Sequence, residues 1–124
     1  MKKILIVEDN SINMKLFCDI LELQKYHTIK AFDGLDAFDK LLNDKYDLMI
    51  LDIQLPKLDG FSLLKKLKDN GIEQPKTIIV SAFAMDKDKQ KAKELGCNDY
   101  ITKPIDIKGF ISKVKTTLGE QDAR

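Results

Sequence analysis

The chain predicts a doubly wound α/β fold: one five-stranded parallel sheet of order 2-1-3-4-5, covered by helices on both faces as a (βα)5 sandwich. Three observations carry this expectation. Short, nearly unbroken apolar runs recur along the chain, Ile4-Leu5-Ile6-Val7 and Leu48-Met49-Ile50-Leu51 being the strongest. Such runs mark strands buried on both faces. Longer segments with helical apolar spacing separate them, as in repeated β-α units. Right-handed crossovers then leave few topologies.

Residues 3–8 read as the first strand. Asp9 or Asn10 can cap a helix running to about Gln24, with Ile12, Leu16, Phe17, Ile20 and Leu23 expected on its buried face. A weak second strand spans 27–31, and Gly34 turns the chain into a helix striped by Ala37, Phe38, Leu41 and Leu42. The third strand, 47–52, leads through a loop with Pro56 and Gly60 to a helix carrying Phe61, Leu64 and Leu67. The fourth strand is 77–81. The helix after it, about 86–95, is lysine-rich with only Ala92 and Leu95 to bury, so light packing is expected. A short fifth strand runs from Asp99 to Thr102. The last helix has the cleanest period: Ile107, Phe110, Ile111, Val114 and Leu118.

Two strands end in carboxylates. Glu8-Asp9 follows the first and Asp52 ends the third. In this topology those strands are neighbours at the switch point, where open α/β sheets place their ligand crevice. Like charges at contact distance repel by about 4 kcal/mol at a surface-like dielectric. Three acids at one edge therefore need a cation, a raised pKa or a reaction that uses them. Ser81 ends the fourth strand and Lys103-Pro104 follows the fifth. The crevice thus gathers three acids, a hydroxyl and an amine.

Composition narrows the function classes. The 124 residues suit one domain, 44% hydrophobic residues supply a core, and 21 − 20 leaves a net charge of +1. That balance favours neither nucleic acid nor a membrane surface as partner. No apolar run reaches the roughly 20 residues of a membrane span. The opening MKKILIV stops being apolar after four residues and meets acids, unlike a signal peptide, so a cytoplasmic protein is expected. Cys18 and Cys97 lie far apart without metal-ligand spacing and read as free thiols. A single histidine, His27, leaves little scope for histidine-based catalysis.

The five elements Glu8-Asp9, Asp52, Pro56 with Asp59-Gly60, Ser81-Ala82 and Lys103-Pro104 resemble the receiver domain of bacterial response regulators over the whole chain. The resemblance implies a flavodoxin/CheY-like fold and a two-component phosphorelay in which Asp52 takes a phosphoryl group from a histidine kinase or phosphotransfer protein. It implies a Mg²⁺ held by Glu8, Asp9, Asp52 and the backbone carbonyl of Gln54, and Lys103 paired to a phosphoryl oxygen after a cis proline bond. Ser81 and Tyr100 would form the switch, read by downstream proteins on the face of helix 4, strand 5 and helix 5. Ser81 stands where threonine is commoner; Gln54 and Phe83 sit where the family tunes access of water. The runs Asn10–Phe17, Asp52–Pro56 and Ser81–Met85 resemble stand-alone regulators of the cell cycle and division. A monomer or weak dimer working through protein contacts, with 1–124 as one receiver domain and no output domain, is the expectation.

Other readings stay open at this point. Phe83 and Met85 either pack locally or meet a partner, and Asn13 is either a surface residue or part of the acidic loop. A receiver belonging to a hybrid kinase shares the same motifs. A Mg²⁺-dependent phosphohydrolase would want an acid where Gln54 stands, and a flavodoxin-like cofactor carrier a glycine- and hydroxyl-rich loop where Glu8-Asp9-Asn10 stands.

Overall fold

A computed structural model describes residues 1–83 and 85–120. Ala84, part of the run after the fourth strand, lies outside them. Five strands, β1 (Lys3–Val7), β2 (His27–Ala31), β3 (Leu48–Leu51), β4 (Lys76–Ser81) and β5 (Asp99–Thr102), form one sheet. Five helices alternate with them: α1 (Ser11–Leu23), α2 (Gly34–Asn43), α3 (Gly60–Asp69), α4 (Asp86–Glu94) and α5 (Ile107–Thr117). All strand pairs are parallel and the order is β2-β1-β3-β4-β5, as the sequence predicts.

Side chains on successive strand residues alternate between the two faces. Ile50 and Ile78 face one core with Phe17, Leu21, Phe110 and Val114 of α1 and α5. Met49 and Ile79 face the other, with Leu63, Leu64 and Leu67 of α3, Leu41 of α2 and Ala92 of α4. Four helices start on a side chain that accepts the amide three residues on: Asn10, Asp33, Asp59 and Asp106. Each such cap is worth about 1 kcal/mol. Helix α4 starts at Met85 without one.

The predicted face of α1 needs correction. Met14, Phe17, Cys18 and Leu21 are its buried stripe, with Ile20 at the margin. Ile12 and Leu23 are nearly four-fifths exposed and Leu16 is exposed too. At 100° per residue these three line the opposite side of the helix. The helix carries two apolar stripes, and the sequence reading merged them. Leu42 and Ile107 are likewise exposed rather than core. As expected, α4 buries only Ala92.

Candidate functional site

Strand register builds the site. Val7 pairs with Leu51, and the Asp52 amide donates to the Val7 carbonyl at 3.1 Å, so Glu8, Asp9 and Asp52 leave the sheet side by side. One carboxylate oxygen from each lies within 4.8 Å of the others. Glu8 and Asp52 are buried while Asp9 is exposed. Ser81 pairs with Thr102, and the Lys103 amide donates to the Ser81 carbonyl at 2.8 Å. The lysine then reaches back over the crevice, and the Lys103–Pro104 bond is cis.

The Lys103 ammonium donates to Glu8 Oε1 at 2.7 Å and to Asp52 Oδ2 at 2.8 Å. Glu8 Oε2 accepts the Asn10 amide at 3.0 Å, and Asp52 Oδ1 accepts the Gln54 amide at 3.2 Å. These charge-assisted bonds answer part of the acid–acid repulsion. Burial nevertheless pushes the Glu8 carboxyl above its ordinary value, outweighing the bonds from Lys103 and Asn10 that favour the anion. Burial acts on Lys103 in the opposite sense, favouring loss of its proton, but its two carboxylate partners prevail and raise its pKa.

Beside this cluster a cleft of about 560 Å³ is lined by Asp9, Gln54, Leu55, Pro56, Asp59 and Phe83, among others. Ser81 is fully buried, and its Oγ accepts the Phe83 amide at 3.3 Å. The hydroxyl of half-buried Tyr100 donates to the Phe83 carbonyl at 2.7 Å. Burial, reinforced by the charges of Asp88 and Asp52, pushes that phenol up to about 12, so it stays protonated and donates at neutral pH. Phe83 and Met85 are both exposed.

The response regulator receiver domain family matches residues 4–115. The chain belongs to that family. This receiver domain is 42% identical over 120 residues to the polar-differentiation response regulator DivK of Brucella anthropi, covering 96% of this chain and 98% of that one. Its fold matches the Francisella response regulator 1452 receiver domain with a TM-score of 0.89 at 31% identity, across 96% and 98% of the two chains. It also matches the receiver domain of a sensor histidine kinase from Pseudomonas aeruginosa PAO1, which has a magnesium ion coordinated in its active-site cleft. There the TM-score is 0.85 at 27% identity, again across 96% and 98%. The receiver domain is a phosphoacceptor signalling module of two-component systems. No helix among the described residues is long and apolar enough to cross a membrane.

Of the residues expected from the strand ends, Glu8, Asp9, Asp52 and Lys103 lie together, while Ser81 is buried at the end of β4 with its hydroxyl on the Phe83 amide. Sequence reasoning missed the Asn10 amide on Glu8, visible only once the turn after β1 is folded. It also took Gly34 as a simple helix start, although α2 and the loop after β3 meet at that residue.

Proposed function

We propose that the receiver domain takes a phosphoryl group onto Asp52 from the phosphohistidine of a kinase or phosphotransfer protein. The observation that carries this reading is the Asp52 carboxylate, buried beside Glu8 and Asp9 with one oxygen on Lys103. An Asp52 oxygen attacks the phosphorus, the P–N bond to the donor imidazole breaks, and its electron pair stays on the ring nitrogen.

The donor set suits a hard cation: three carboxylates within one ion's reach, one of them open to solvent. Glu8, Asp9, Asp52 and the Gln54 carbonyl would hold Mg²⁺, which when bound would neutralise charge on the acids and on the transferred group. Lys103 then keeps one partner among the acids and turns to a phosphoryl oxygen. Ser81 exchanges its bond with the Phe83 amide for one to the phosphoryl group, and Tyr100 follows inward. That rearrangement reaches α4, β5 and α5, where downstream proteins bind. Signalling is by protein contact, with no catalysis beyond the domain's own phosphorylation and dephosphorylation, no nucleic acid, and a monomer or weak dimer in the cytoplasm. Similarity to a polar-differentiation regulator supports a role in cell-cycle or division control.

Intact mass after incubation with acetyl phosphate tests the reading. One phosphoryl adduct is expected on wild type with Mg²⁺, and none without Mg²⁺ or in Asp52→Asn. A folded Asp52→Asn protein labelled to wild-type level would overturn it. Absence of any adduct, repeated with a cognate kinase, would do the same.

A further inference from the structure

We propose that Gly34, in the first turn of α2, is a positioning residue for the metal site: it seats the loop that carries the Gln54 carbonyl. This rests on the magnesium reading above. The loop between Asp52 and α3 does not hold its shape alone. Lys57 lies at φ 68°, in the left-handed region that costs a side-chain-bearing residue about 1–2 kcal/mol. The Leu58 amide turns back to the Pro56 carbonyl at 2.7 Å.

What supports this turn from behind is the start of α2. The Gly34 amide donates to the Pro56 carbonyl at 3.4 Å, and the Lys57 ammonium lies 3.5 Å from Asp33 Oδ2. A Cβ on Gly34 would fall inside van der Waals contact with the Leu58 carbonyl oxygen and 2.7 Å from the Leu58 carbonyl carbon and Cβ. The obstacle is mainly backbone, so only displacement of the loop or of the helix relieves it. Gly34 is not among the residues with positive φ, so its own dihedrals do not demand glycine. Proximity to the loop demands it.

The far end of the same loop is pinned independently. The Gly60 amide donates to the Ile53 carbonyl at 2.8 Å, and a Cβ on Gly60 would lie 3.0 Å from the Ile53 Cα. With that end fixed, a push at Leu58 is taken up between Gln54 and Lys57, the stretch that carries the Gln54 carbonyl.

Calorimetric Mg²⁺ titration of the whole chain, alongside thermal melting, tests the inference in wild type, Gly34→Ala and Leu41→Ala. Gly34→Ala is expected to weaken Mg²⁺ binding about tenfold, as loss of an outer support does at other metal sites. Its phosphoryl adduct should fall at low Mg²⁺ and recover at high Mg²⁺. Leu41→Ala, which destabilises the buried face of the same helix, should melt earlier with Mg²⁺ affinity unchanged. A folded Gly34→Ala with wild-type affinity overturns the proposal. Should Gly34→Ala not fold, Lys57→Ala removes the contact with Asp33 and keeps the left-handed strain at that position; it is expected to weaken Mg²⁺, and wild-type affinity overturns the proposal. Wild type that takes up no Mg²⁺ overturns the metal reading itself, and the inference with it.

Discussion

Two loops flank the acidic crevice, and they are held in opposite ways. The loop after β3 is wedged: Gly60 lies against the Asp52 and Ile53 backbone, Gly34 against Leu58, and Asp59 caps α3. The loop after β4 hangs on polar bonds to Phe83, from the Ser81 hydroxyl on one side and the Tyr100 phenol on the other. It runs into α4, which lacks a side-chain cap and buries only Ala92. Steric wedging fixes positions to within tenths of an ångström, because packed backbone has no second arrangement nearby. Hydrogen bonds can be exchanged for others of similar worth. The wedged loop suits holding a reaction centre still; the hung loop suits reporting what happened there.

The largest test of this contrast is Lys103→Ala, which removes the cation both buried acids share. Leaving paired buried charges uncompensated costs about 3 kcal/mol or more. A urea midpoint lowered accordingly, and partly restored by Mg²⁺, is the expected result. In the phosphorylated variant, partner affinity should no longer change, because the link from the acids to β5 is gone. Unchanged stability would mean the crevice charges do not tie the buried acids to the end of β5.

Next comes Gly60→Ala, expected to cost about 2 kcal/mol by forcing atoms into packed backbone. Chemical denaturation measures it. A neutral result would show that the loop after β3 is as yielding as its neighbour.

Tyr100→Phe removes the phenol's bond to the Phe83 carbonyl and its contact with the Ser81 hydroxyl, and is expected to cost about 1 kcal/mol. Amide hydrogen exchange should quicken at Ala82, Phe83, Met85 and Asp86 and stay unchanged between 53 and 59. Equal quickening in both loops would erase the contrast.

The subtlest effect is on pH dependence. Because the Glu8 pKa is raised on folding, the native state binds the extra proton more readily than the unfolded chain. Its contribution is therefore favourable below the ordinary carboxyl value of 4.5 and is lost as pH rises through the folded value. Glu8→Gln should flatten that part of the stability–pH curve. An unaltered curve would place the burial penalty on another group.

Much of this was legible in the residues. Asp52 at the end of an apolar run, Glu8-Asp9 at the end of another and Lys103 before Pro104 mark the crevice in the residues alone. The weak apolar content of residues 86–95 foretold a lightly packed α4. The face of α1 was not legible, because Ile12, Leu16 and Leu23 make a stripe as apolar as the one that is buried. Local periodicity cannot say which stripe meets the sheet.

The alternation of strands and helices and the acids at the strand ends were written in the residues, through local burial periods, caps and charge, and right-handed crossovers narrowed the strand order. The chemistry of the crevice came from the resemblance to the receiver family. Only the tertiary structure decided which side of α1 is core, that Lys103 bridges Glu8 and Asp52, and that Gly34 supports the loop after Asp52. Each is a contact between segments far apart in the chain, set by how strands align and helices dock. No local preference encodes such a contact.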